Sequence, residues 1–254
     1  MSELRSELGL DGIVAAVGAG GKKSVLNEII AGSEQHTAWT GTVFSARPPR
    51  WTEVDVHIET EDKLIELAGQ LPGPAQRAFL QPSDKPGRYG GLSPEGVERL
   101  HKAGQFELTL VKADGARMRG LKCPRPGEPV LPELTKTVLM ILSAQVIGKP
   151  LNDEFVHRAE RVAELTGRRE GDLVTPEDLA VIFTAAGGIS QGSEGKAIIP
   201  IINQVDDDRS LETATEAARL ALAKSARFDR VILTCLHRGS SHRTPVVDVI
   251  RRGT

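Results

Sequence analysis

The apolar run Ile13–Val17 opens into Gly18-Ala19-Gly20-Gly21-Lys22-Lys23-Ser24, and Val25, Leu26, Ile29 and Ile30 follow at helical spacing. A strand, a glycine turn, a lysine and a helix, in that order, are the parts of a phosphate-binding loop. Glycines let the main chain curl so that successive amides point inward, and a helix beginning there adds about half a positive charge. The amides of Gly18, Ala19, Gly20, Gly21, Lys22 and Lys23 are therefore expected to hold phosphates, with the Lys22 ammonium on the terminal ones. The spacing departs from G-x-x-x-x-G-K-Ser/Thr twice: Ala16 stands in the first glycine slot, and Lys23 in the hydroxyl slot, with Ser24 one residue late. The competing reading is a plain glycine turn between strand and helix.

A second candidate group follows the run Leu108–Val111, in Lys112-Ala113-Asp114-Gly115-Ala116-Arg117 and Gly120-Leu121-Lys122-Cys123-Pro124. A carboxylate just past the C-terminal end of a core strand faces the crevice where α/β sheets bind ligands. Asp114, with Ser24, is thus the expected magnesium site, and Lys22 and Asp114 the expected catalytic pair; alone, an Asp-Gly after a strand is a turn. Arg117 and Lys122 form a basic pair suited to phosphate or an anionic substrate. Asn203-Gln204-Val205-Asp206 ends another strand and is similar to an NKxD element, in which the aspartate accepts from the two donors on guanine's edge. Asn203 and Asp206 are expected at a purine base, although Gln204 replaces the lysine that packs along it. Against this stands a turn followed by the acidic run Asp206–Asp208. Thr40, Thr42, His157 and Arg158 read more simply as strand or helix-face residues, and Cys235 as a small buried hydrophobe. Basic neighbours, Lys122 and Arg125, are a reason to expect a lowered Cys123 pKa. His237 and His242 sit in a basic segment expected to be exposed.

The elements that must carry these groups are short apolar runs alternating with helical patterns: Ile13–Val17, Ala38–Phe44, Val54–Ile58, Leu108–Val111, Ala197–Ile202, Val231–Cys235 and an edge run Val246–Ile250. Consecutive apolar positions mark strands covered on both faces, so the expected class is α/β, a mainly parallel sheet with helices on both faces. Helix starts are read at Ser93-Pro94-Glu95 and Thr175-Pro176-Glu177-Asp178, and an apolar stripe follows Ser210. Pro132–Ala144 and Asp153–Thr166 read as further helices, which suggests one domain over 1–254 with a helical insertion at 132–186.

Composition narrows the function classes. Lys and Arg number 32 against 34 Asp and Glu, which leaves no electrostatic footprint for nucleic acid. Aromatics are only 4%, too few for base-stacking platforms. Two cysteines cannot make a disulfide framework, and no apolar run approaches the ~20 residues of a membrane span. The expectation is a cytoplasmic protein with a nucleotide as ligand.

Four segments spread along the chain resemble the YqeC-type accessory proteins of selenium-dependent molybdenum hydroxylases. That family carries a GAGGKT-like loop, a VEADGSRGRPLKAP-like segment, a HRPERV-like helix and an NKVD-like element. This chain carries Gly18–Lys22, Lys112–Pro124, His157-Arg158-Ala159-Glu160-Arg161-Val162 and Asn203–Asp206. The resemblance implies a P-loop NTPase-like fold and a role in maturing a selenium- or molybdenum-dependent hydroxylase, with that enzyme or its maturation factors as partners. Where the family has threonine this chain has Lys23, and where it has glutamate, Lys112. Two cations near a metal would repel it, so the expectation is binding of ATP or GTP with weakened magnesium dependence and slow hydrolysis. Two alternatives remain: a non-hydrolysing binding platform, or a small-molecule kinase gripping its acceptor with Arg117 and Lys122.

Overall fold

The computed structural model describes residues 3–237 and 244–253. The elements run α1 (Glu3–Leu8), β1 (Gly12–Gly18), α2 (Lys22–Ala31), β2 (Thr37–Gly41), β3 (Asp55–Ile58) and α3 (Glu61–Gln70). Then come β4 (Gln76–Leu80), α4 (Pro94–Ala103), β5 (Leu108–Lys112), β6 (Leu121–Lys122), β7 (Thr135–Ser143) and β8 (Val156–His157). The chain closes with α5 (Ala159–Thr166), α6 (Pro176–Thr184), β9 (Ala197–Asn203), α7 (Asp208–Lys224), β10 (Arg230–Thr234) and β11 (Val246–Arg251). Strands are hydrogen-bonded in the order β11-β10-β9-β7-β1-β5-β2-β4-β3, with β6 and β8 as a separate pair. The pairs β1–β5, β5–β2, β2–β4, β4–β3 and β9–β10 are parallel; β10–β11 is antiparallel. This is an α/β protein with a large, mostly parallel sheet flanked by helices. Among the described residues no helix is long and apolar enough to cross a membrane.

Contacts group the chain into two compact units, the first of residues 1–16, 23–115 and 130–138, the second of 17–22, 116–129 and 139–254. In the first, Trp39, Phe79, Leu64, Leu80 and Leu100 are fully buried, and α3 packs on α4. Ser93 caps α4 by accepting from the Gly96 amide at 2.9 Å, and the Glu61 carboxylate accepts in turn from the Ser93 amide and hydroxyl. In the second, Ala214, Ala217, Ala218 and Ala221 form the buried face of α7, small enough for α6 to lie close against it. Thr175 and Asp178 form a capping box at the start of α6, and Asp207 and Ser210 one at the start of α7. The α7 cap thus lies three residues before Ser210 and uses the acidic run that follows Asn203.

Two segments correct the sequence reading. Pro132–Ala144 is not a helix: Thr135–Ser143 is β7. Its run Val138-Leu139-Met140-Ile141-Leu142 is buried at every position, and a short, continuously apolar run has no periodicity to separate strand from buried helix. Asp153–Thr166 is helical only from Ala159, because Arg158 takes a left-handed conformation at φ 64° after the β8 residues. The strand β4 and the helix α3 are additional elements; β4 holds only three apolar residues in Gln-Arg-Ala-Phe-Leu. The edge strand over Val246–Arg251 is present, His237 is exposed, and His242 lies outside the described residues.

Candidate functional site

The glycine loop belongs to the second unit and is wedged among three of its segments. Gly18, Gly20 and Gly21 have φ of +96°, +78° and +116°, which L side chains rarely adopt. There is no room for side chains either. A Cβ would meet the Ile141 carbonyl oxygen at 2.2 Å from Gly18, Ser143 at 2.5 Å from Gly20, and Asn203 Nδ2 at 2.2 Å from Gly21. The loop is also tied down by hydrogen bonds: Ala19 N–H donates to Ile141 O at 2.7 Å, Gly20 N–H to Arg119 O at 3.0 Å. Asn203 Nδ2 donates to Gly20 O at 2.8 Å, while Thr234 Oγ1 donates to Asn203 Oδ1 at 2.9 Å. The Lys22 ammonium, 5% exposed, donates back to the Gly18 carbonyl.

This arrangement changes the roles expected of several residues. The amides of Ala19 and Gly20 are engaged by protein carbonyls, so a phosphate cradle is narrowed to the chain from Gly21 into the first turn of α2. Asn203 is buried, with both ends of its amide engaged, and it fastens the loop rather than facing a base. Gln204, left-handed at φ 63°, accepts from the Ser143 hydroxyl. Asp206 accepts from Cys235 Sγ at 3.1 Å. Cys235 is thus the buried small residue that the sequence suggests.

Arg117 is exposed. It and Met118 take consecutive left-handed conformations, φ 47° and 64°, immediately before Arg119, whose carbonyl receives the Gly20 amide. Two such residues in succession are strained, and strain of this kind collects at functional loops. Lys122 does not line a crevice. It is fully buried, and its ammonium meets Glu128 Oε2 at 2.9 Å. Arg158 clasps both oxygens of the same carboxylate at 2.8 Å, and Arg125 adds a third contact at 3.1 Å. Burial opposes ionisation of Glu128, but hydrogen bonds from Arg158 and Lys122 outweigh it and hold its pKa at about 2. The kinase reading loses the Lys122 half of its acceptor grip. The expected lowering of the Cys123 pKa is also reversed: burial raises it, against the pull of Arg161 and Arg158. For His157, burial and then Arg158 lower the pKa.

In the first unit Ala16 pairs with Lys112, the last residue of β5, and Asp114 follows two residues on, buried, with 3% of its surface exposed. Ser24 is exposed in the first turn of α2. Among the described residues no three His, Cys, Asp or Glu gather where a metal could sit. One carboxylate and one hydroxyl fit a magnesium ion only if phosphate oxygens and water complete its shell. Of the two lysine departures, Lys112 turns to Phe44, donating to its carbonyl at 2.9 Å. Lys23 is half-buried, and burial, then the Arg88 charge, lower its pKa. Thr40 and Thr42 donate to the carbonyls of Phe79 and Val130, at 2.8 and 2.7 Å, which is the plain structural reading.

Sequence reasoning passed over Glu128, Phe44 and Arg88. Glu128 carried a usable signal, as the single acid in the stretch from Lys122 to Pro129, which also holds Arg125.

Comparison with known proteins bears on the same segments. The family model described as "YqeC protein" matches residues 14–160, more than half of the chain, and takes in the glycine loop, Lys112–Pro124 and His157-Arg158. A relative from Escherichia coli (strain K12), "Uncharacterized protein YqeC", is 26% identical over 196 residues, which cover 76% of this chain and 75% of that one. With more than half of its residues matched by that model, the chain belongs to the YqeC protein family.

Proposed function

We propose that this protein binds a purine nucleoside triphosphate at its glycine loop and serves as an accessory factor in maturing a selenium- or molybdenum-dependent hydroxylase. The observation that carries the first half is the loop itself: three glycines in conformations and spaces closed to other residues deliver Lys22 to the start of a ten-residue helix. The first-turn amides of such a helix have no partners within it and favour an anion. Arg117 supplies an exposed positive charge from the segment whose Arg119 carbonyl receives the Gly20 amide. The second half rests on family membership and on the resemblance of the four segments.

Magnesium, when bound, would neutralise phosphate charge, with Asp114 and Ser24 as its protein ligands. Lys23 stands where a metal-holding hydroxyl is usual, so binding without the metal is retained. Hydrolysis is slow, since charge stabilisation needs a positioned water and no residue in the loop supplies one. The engaged amides of Ala19 and Gly20 favour a second reading, a binding platform that does not hydrolyse its nucleotide.

Calorimetric titration with ATP and with GTP, each with and without magnesium, tests the proposal. Binding of at least one is expected in both conditions, weakened about tenfold or more in Lys22→Ala, since charge-assisted contacts to phosphate are the strong ones. Failure of both nucleotides to bind rejects the nucleotide reading, and binding only with magnesium rejects the role given to Lys23. Phosphate release no faster than in Lys22→Ala selects the platform.

A further inference from the structure

The first unit holds a cleft that none of the preceding roles uses. It lies where the parallel strands β2 and β4 end, has a volume of about 660 Å3, and is lined by Thr42, Phe44, Gln81, Asp84, Lys85 and Gly91 among others. That volume is in the range of small-molecule sites, and the C-terminal ends of parallel strands are where α/β folds place them.

The walls are built rather than loose. Ser45 and Tyr89 exchange main-chain hydrogen bonds at 3.0 and 2.7 Å, and Gln81 and Gly90 at 3.0 and 2.9 Å. The Gln81 side chain donates to Gly91 O at 2.6 Å. Gly91 lies so close on the end of β2 that a Cβ there would meet Gly41 O at 2.3 Å. Phe44 is 47% exposed on this frame, its carbonyl held by Lys112. The Lys85 ammonium sits 4.0 Å from the ring centroid. Such a contact is weak at an exposed site and easily exchanged for a ligand ring. Among the described residues no carboxylate forms an ion pair with the Lys85 ammonium.

We infer that this cleft binds a planar heteroaromatic molecule bearing an anionic group, its ring stacked on Phe44 and its anion on the Lys85 ammonium. Asp84 offers a carboxylate to N–H or O–H donors on the ring. Lys112 is a positioning residue that fixes the Phe44 main chain. The inference is independent of what the glycine loop binds.

Flavin mononucleotide (FMN) and GMP serve as planar anionic probes, titrated into the full chain by fluorescence and by calorimetry. Riboflavin, guanosine and inorganic phosphate are the controls. At least one probe is expected to saturate at one per chain, with its uncharged counterpart and phosphate alone at least tenfold weaker. Phe44→Ala should weaken the probe about tenfold, as loss of a stacking ring does, and Lys85→Ala several-fold, while Lys22→Ala leaves it unchanged. These side chains are exposed, so the variants keep the fold; a matching thermal melt checks it. Neither probe binding below millimolar concentration overturns the inference, as does binding indifferent to Phe44→Ala. Loss in Lys22→Ala would move the probe to the glycine loop and equally overturn it. Probe binding without triphosphate binding leaves this cleft standing and removes the nucleotide reading alone.

Discussion

Glu128→Gln should destabilise the folded protein by roughly 3–5 kcal/mol, the cost of leaving buried cations without their counter-charge. One carboxylate answers Lys122, which has no exposed surface, and both terminal guanidinium nitrogens of Arg158. Glutamine keeps the shape and one acceptor oxygen but removes the charge. The pH dependence carries an independent signature. The folded pKa of Glu128 is about 2 against an ordinary 4.5, so its contribution is fully present above about pH 4.5. It is lost as pH falls through 2, and amounts to about 3 kcal/mol across that window. Urea unfolding at neutral pH and again between pH 4.5 and 2.5 checks both parts. Glu128→Gln should be weak at neutral pH and lose less on acidification than the wild type. Lys122→Met added to it should restore part of the loss, because an apolar side chain needs no counter-charge. A neutral-pH loss below about 1 kcal/mol, the level of an exposed ion pair, would mean that the three cations do not depend on this carboxylate.

Gly18→Ala should cost about 3 kcal/mol and abolish triphosphate binding. Two causes add here. The φ of +96° is strained for alanine, and the new Cβ would meet the Ile141 carbonyl at 2.2 Å. That oxygen is main chain in β7 and accepts the Ala19 amide, so it cannot yield without releasing the loop. Gly87 separates the causes: its φ is +66° with nothing within 4 Å of a Cβ. Gly87→Ala should therefore show only the conformational cost, about 1 kcal/mol. For a chain of this size the first variant lowers Tm by roughly 6–12 °C and the second by 2–4 °C. Equal melting points for the two would show that β7 does not confine the loop.

Much of the sheet can be read from residue types. Ile13–Val17 and Ala197–Ile202 are short, apolar at nearly every position and followed by turn residues, which suits a strand covered on both faces. Thr175-Pro176-Glu177-Asp178 is a helix start because its hydroxyl, its ring and its acids each suit the first turn. β7 could not be read in this way. Its apolar run fits a buried helix as well, and Pro132 and Glu133 before it imitate a helix start. Only neighbouring strands on either side select the extended form.

The same division runs through the candidate site. The residue types alone determined that a glycine turn joins β1 to α2 with Lys22 at the junction, and that the chain is a YqeC protein. They also set Asp114 just past the end of a strand, since the local pattern of apolar residues dictates where a strand stops. Which polar groups are already engaged was decided by the tertiary structure alone. Asn203 fastens the loop, Lys122 is buried on Glu128, and Lys112 reaches Phe44, because hydrogen-bond partners far apart in sequence meet only after folding. A side chain's chemistry is written in its type, but its availability depends on what packs against it.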